Sequence, residues 1–245
     1  MEKGLKQEVI SELKAQILAL QGYKNAPASV QSPKGLDIFA SAFPNRIFPL
    51  NGIHEFISFS HEETACSTGF ISGLLSGLMQ NGSASIWVCS KRTLFPPALK
   101  RFSVQPESII FIEAKNEKEI LWVTEEALKC EGLAAVITEL PELSFGVSRR
   151  LQLIIEKSKV TAFFVRENPK YLNNTTCLAR WRINALPSQL LDRMPGVGNP
   201  HWQAELIKVR NGKGGKFELT WTASGFTSID IQNQKILRLK SLQAG

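Results

Sequence analysis

Between Ile53 and Val165 short apolar runs alternate with stretches of helical period, and this alternation restricts the chain to one fold class. The runs IHEFISF, SIWVC, SIIFI, LAAVIT and VTAFFV carry apolar residues on both faces, the pattern of strands covered on both sides. Amphipathic stretches separate them at 63–80, 92–101, 116–130 and 144–158. Together they predict an α/β fold: a mostly parallel sheet flanked by helices, joined by right-handed crossovers. Downstream, CLARWRI reads as another strand and LPSQLLDRMPGVGNP as a connection. HWQAELIKVRNGKGGKFELTWT reads as a β-hairpin, since Asn and Gly at its tip tolerate positive φ. Residues 227–240 offer one more strand.

The chain's 245 residues suit one main domain with appendages. We expect an N-terminal helix and linker over 1–50, a core over 51–185, and a basic C-terminal extension with the hairpin over 186–245. In the first part Leu5, Val9, Leu13, Ile17 and Leu20 recur at helical spacing, a stripe suited to docking on a partner or on the chain's own core. From Gly22 to Asn51 the Pro, Ser, Asn and Gly content suggests a linker or an arm wrapping the core. Gly69, Gly73 and Gly77 give the helix at 63–80 a ridge without side chains, which permits close packing.

Charge is unevenly placed. Residues 180–245 hold ten Lys/Arg against four Asp/Glu, so +6 of the net +7 belongs to this C-terminal quarter. The N-terminus is charged from its first turn and lacks the pattern of an export signal. Residues 64–90 carry no charge, but Gln80-Asn81-Gly82-Ser83 interrupts them with turn chemistry. We therefore expect a cytoplasmic protein that does not enter membranes. Cys66, Cys89, Cys130 and Cys177 are scattered, without the spacing of a zinc or redox motif, and are expected to be packed thiols.

Chemistry in a parallel α/β sheet gathers at the carboxyl ends of the strands. That edge collects Ser58, Ser60, His61 and Glu62 from the first strand, Lys91 and Arg92 from the second, Glu139 and Glu142 from the fourth, and Arg166 and Glu167 from the fifth. A phosphate loop needs glycines to bare its backbone amides, a lysine, and a Ser/Thr for magnesium. Between Ile53 and Thr68 only the Ser/Thr requirement is met, by Ser67 and Thr68, and Glu62 and Glu63 would repel a phosphate. The three histidines lie far apart, so no helical metal pair forms, and adjacent Ser60 and His61 do not make a nucleophile and base. No catalytic residue, cofactor or metal is expected. Basic and aromatic residues do interleave in Arg180, Arg182, Trp202, Lys208, Arg210, Lys213 and Lys216, a pattern suited to nucleic acid or a partner. Arg149 and Arg150 open the fourth helix against its dipole and so call for an acidic group or a phosphate.

Six segments carry a family resemblance: GIHEF (52–56) with TGF (68–70), LWVTEEALKC (121–130), SRRLQL (148–153), ARWRI (179–183) and PGVGNPHWQAELIKVRNGKGG (195–215). Over roughly residues 36–223 the chain resembles the ImuA family, RecA-like proteins of bacterial damage-induced mutagenesis, also described as SulA-like. The resemblance implies a RecA-like core without recombinase catalysis. GIHEF and SFSHEETACST would occupy the place of RecA's first strand and phosphate loop, WVCSK lacks the carboxylate that activates water, and Glu139 stands where Asp is expected.

It further implies a non-catalytic accessory role in error-prone translesion synthesis within the SOS response. The partners implied are ImuB, a Y-family polymerase relative, and an error-prone polymerase of the DnaE type. Single-stranded DNA, RecA, and a second copy met through the N-terminal helix are further candidates. Two other readings remain: a SulA-type cell-division inhibitor, which the long basic hairpin region does not suit, and a weak nucleotide-binding ATPase held by backbone amides alone.

Overall fold

In a computed structural model the described residues are 9, 10, 12, 13, 35–44, 46–188 and 198–228. Their strands are β1 (Ile53–Ser58), β2 (Ser85–Cys89), β3 (Ile109–Glu113), β4 (Ala135–Glu139), β5 (Thr161–Glu167), β6 (Ala179–Ala185), β7 (His201–Val209), β8 (Gly215–Thr222) and β9 (Gly225–Ser228). The α-helices are α1 (His61–Leu78), α2 (Glu117–Lys129) and α3 (Phe145–Ser158). The strands join one sheet in the order β3-β2-β4-β5-β1-β6-β7-β8-β9. From β3 to β6 every pair is parallel, and β7, β8 and β9 continue antiparallel. This is the mostly parallel α/β sheet flanked by helices that the sequence predicts, and residues 198–228 contribute three strands to the same sheet.

Burial on both faces explains the apolar strands. All six residues of β1 are buried, as are all five of β2. One face packs under α1 through Phe56, Trp87, Phe163, Trp181 and Trp202. The other packs under α2 and α3 through Ile53, Val88, Val136 and Phe164. Each helix starts on a side-chain cap: Ser60 accepts from the Glu63 N–H, Asn116 from Glu119, and Ser144 from Val147. Such caps satisfy amides that the first turn leaves without intrahelical partners.

The glycine ridge of α1 lies against the antiparallel part of the sheet. A Cβ on Gly73 would sit 2.6 Å from the Phe226 ring and 3.0 Å from Trp221, and one on Gly69 3.3 Å from Trp202. Residues 35–44 and 46–50 belong to the wrapping arm. Phe39, in a 3-10 helix over Asp37–Ala42, meets the rings of Phe48, Phe70, Trp181, Phe217 and Phe226 at centroid separations of 5.4–6.1 Å. The hairpin tip closes on the same arm, with Asn211 at φ 59° and the Lys213 amide donating to the Ala42 carbonyl at 3.3 Å.

Two expectations need correction. The segment 92–101 is a 3-10 helix over Pro96–Phe102, because Pro96 and Pro97 remove amide donors and bar the preceding residues from α geometry. The turn after β1 is also shorter than a phosphate loop requires, as described below. Of the N-terminal stripe, Leu5, Ile17 and Leu20 lie outside the described residues, while Val9 and Leu13 are helical and half-exposed. No helix among the described residues is long and apolar enough to cross a membrane.

Candidate functional site

The carboxyl edge of β1 is where a phosphate loop would stand, and here two residues, Phe59 and Ser60, join the strand to α1. A Walker-type loop spans G-x-x-x-x-G-K-[ST] between strand and helix, so that several backbone amides converge on a phosphate. In this chain the equivalent residues, His61 to Thr68, are already helical, and their amides from Thr64 onward point into intrahelical bonds. The residues expected in the place of a phosphate loop thus lack more than its glycines and lysine: the concave backbone itself is gone. The cause is local. Ser60 caps the helix, and Glu63 returns a carboxylate oxygen to the Phe59 amide at 2.9 Å, a reciprocal capping box that starts α1 two residues after the strand.

Glu63 has a second partner. Arg182, on β6, donates from Nη2 to Glu63 Oε1 at 2.6 Å and from Nε to Oε2 at 3.3 Å, with its guanidinium 5.1 Å from the Phe59 ring centroid. The Arg182 hydrogen bond holds the Glu63 carboxyl below the usual carboxylate range, outweighing partial burial. Position and charge together place an anion already paired where a phosphate would arrive. Ser67, one of the two residues suited to a metal-bound phosphate, is buried and hydrogen-bonded to Ser58 at 3.1 Å.

The neighbouring strand ends carry more acid. Glu139 accepts from Trp87 Nε1 at 2.7 Å, and burial raises its carboxyl above the ordinary range despite that bond. Glu167 pairs with the exposed His61 at 2.5 Å. Among the described residues no group of three or more His, Cys, Asp or Glu side chains is placed to hold a metal ion.

The predicted contact residues separate into distinct environments. Arg180 is buried and donates from Nε to Glu55 at 2.8 Å, so its charge is enclosed rather than offered to a partner. Trp202 is a core residue between Phe70 and Phe102, which corrects its reading as a contact platform. Lys208 stands across from Arg180 in the β6–β7 register. Arg182, Glu205 and Lys216 form a row across three strands, and Lys216 reaches Glu205 at 3.2 Å. Lys213 is exposed at the hairpin tip, and the Arg210 amide donates to Leu178. Arg150 meets Glu125 of α2 at 3.1 Å, while Arg149 is exposed; α3 begins at Phe145, so the expectation that the two arginines open it is corrected to its second turn, where the dipole's effect has largely fallen off. The α3 arginines thus lie in a different layer from the hairpin.

Sequence reasoning missed the most buried charge cluster. Glu55 on β1 pairs with Arg166 of β5 at 3.3 Å as well as with Arg180, and both Glu55 and Arg166 are wholly enclosed. Its signal was a charged residue in each of three apolar strands, GIHEF, AFFVRE and CLARWRI, with signs that can compensate.

No family model matches the chain. It is similar to Protein ImuA of Caulobacter vibrioides, in the two strains NA1000 / CB15N and ATCC 19089, at 30% identity over 195 residues covering 75% of this chain and 80% of the relative. Among solved structures it is similar to the RadB recombinase, with a TM-score of 0.51 and 14% identity over 75% of this chain and 93% of that one. The second likeness concerns the fold.

Proposed function

The chain belongs to the ImuA family, and on that footing we propose that it is a non-catalytic, RecA-like accessory protein of damage-induced mutagenesis. In this reading it serves as an adaptor for an ImuB-like Y-family polymerase relative and an error-prone DnaE-type polymerase. The observation that carries the non-catalytic part is the two-residue joint between β1 and α1, with Glu63 and Arg182 paired over it. Backbone amides committed to a helix cannot cradle phosphates, and a carboxylate at the site repels them. What the fold retains is a sheet covered on both faces, a scaffold whose outer helices, loops and hairpin can meet partners.

The hairpin is the surface assigned to single-stranded DNA. Lys213 is exposed at its tip, Lys208 and Lys216 lie on β7 and β8, and Arg210 follows directly after β7. Phosphate contacts of this kind weaken with salt as counterions are released and recovered.

Three measurements test the reading. Calorimetric titration with Mg-ATP is expected to give dilution heat alone, and a saturable isotherm would overturn the non-catalytic assignment. The purified protein is expected to co-elute with the ImuB-like partner, and separate elution at micromolar concentration would refute the adaptor role. Reversing the charge of Lys208, Arg210, Lys213 and Lys216 should weaken single-strand binding and flatten its salt dependence; an unchanged salt slope removes DNA from the assignment.

A further inference from the structure

The buried triad fixes a piece of surface. Beyond their bonds to Glu55, Arg166 donates from Nη2 to the Tyr171 carbonyl at 3.0 Å, and Arg180 donates from Nη2 to the Asn173 carbonyl at 2.7 Å. The Thr175 hydroxyl donates to Glu55, the Lys170 amide to Glu142 at 2.6 Å, and the Thr176 amide to Ser148 Oγ at 3.2 Å. Residues 170–176 are thereby held from both sides while the side chains of Tyr171, 69% exposed, and Leu172 stand in solvent. Burying three charges is costly and is weak evidence for stability; what the triad does here is fix the backbone of this loop.

The same loop runs beside the start of α3, where Ser148 receives it. Phe145, Arg149 and Leu153 follow at four-residue spacing and so share one helix face, with Phe145 57% and Leu153 46% exposed. Single exposed apolar residues are ordinary, but four large ones on two adjoining elements are not. Arg149 lies on that stripe and Lys170 precedes Tyr171; neither side chain is in an ion pair among the described residues, and the Glu142 carboxylate that takes the Lys170 amide is paired with Arg166.

We infer that this face, the Phe145–Arg149–Leu153 stripe with the clamped Lys170-Tyr171-Leu172 segment, docks an acidic, apolar segment of a partner protein. Apolar side chains flanked by two uncompensated cations complement a ligand that is apolar and negatively charged. Phe145 and Tyr171 could each stack on a base, but Leu153 and Leu172 cannot, and two cations do not make the basic groove that follows a strand carrying one charge per nucleotide, which favours protein over nucleic acid. The clamp orders the loop during folding, so binding need not meet that entropic cost again. The inference rests on the adaptor reading and gives it a surface.

The test uses the full-length protein, the purified ImuB-like partner as probe, and affinity measured at two salt concentrations. The double variant Tyr171→Ser/Leu172→Ser should bind at least tenfold more weakly. Arg149→Glu should lose several-fold, with the larger loss at low salt, while Phe95→Ser, an equally exposed ring in the opposite layer, should bind as wild type. Far-UV circular dichroism and melting temperature confirm that each variant is folded. If wild type and both variants bind alike, the surface is wrong and the adaptor reading stands. Absence of wild-type binding sinks the adaptor reading and the surface with it. If the variants keep partner binding and lose single-stranded DNA, the face belongs to nucleic acid and the inference is overturned.

Discussion

Replacing Glu55 by Gln would test the triad. The substitution keeps the side chain's size and one carbonyl acceptor but removes the negative charge from beside two guanidinium groups. Arg166 then retains Glu142 at 3.4 Å, a carboxylate a third exposed, and Arg180 retains neutral oxygens. Breaking a buried pair in this way costs about 3–5 kcal/mol, because the surviving charge is left without compensation. For a chain of this size one kcal/mol moves the melting temperature by about 2–4 °C, so a fall of roughly 6–20 °C is expected. Urea melts should show a lower midpoint at unchanged slope, the mark of a change in stability alone. Glu63→Gln is the contrast: its pair with Arg182 is partly solvated, and its loss should cost about 1 kcal/mol or less. The triple variant Glu55→Leu/Arg166→Met/Arg180→Met should melt near wild type, since apolar replacements of a buried pair are often neutral, yet exchange its amides at 170–176 faster. A Glu55→Gln protein that melts within about 2 °C of wild type would refute the account of the triad as a compensated buried charge cluster.

Three further outcomes are expected. His54 is wholly buried, stacks on Phe48, donates to the Pro49 carbonyl at 2.7 Å and accepts from Trp181, and burial lowers its pKa to about 4. The unfolded chain therefore takes up a proton at this site first, and the site's contribution of about 3 kcal/mol is lost as pH falls from 6.5 to 4; in urea melts across that range His54→Gln should flatten the decline. Gly73→Ala should destabilise by about 1–3 kcal/mol through collision with Phe226, whereas Gly69→Ala, facing Trp202 at 3.3 Å and Phe102 at 3.5 Å, should be nearly neutral because helix propensity offsets the contacts. In the native protein at pH 8 a thiol reagent should label Cys130 first, since it is exposed, while burial pushes Cys66, Cys89 and Cys177 up to about 11; rapid labelling of Cys177 would contradict the packing of the loop before β6.

The strands from IHEFISF to VTAFFV were legible to within two residues because burial on both faces leaves a continuous apolar mark. The hairpin was legible too, since Asn211 and its glycines are demanded by a turn. Pairings were not. Glu55 lies 111 and 125 positions from its arginines, and no local pattern reports contacts at that separation. The joint at Phe59-Ser60 misled for another reason: Ser60 and Glu63 write a capping box in the sequence, yet comparison with a phosphate loop favours reading the same residues as loop. Trp202 looked available because it sits among lysines, but its neighbours Ala204 and Leu206 share its inward face. Alternation along β7, weighed more heavily, would have placed it in the core.

The position of β1 at the middle of the sheet also governs how the chain is made. Its two neighbours, β5 and β6, begin at Thr161 and Ala179. A ribosome adding roughly 5–20 residues per second needs about 6–25 seconds to proceed from the end of β1 to the end of β6. Until β5 is complete at Glu167 this wholly buried strand has neither flank covered, and until Ala185 it has only one. Nascent chains stalled before residue 179 are therefore expected to be chaperone clients or protease substrates rather than smaller working proteins.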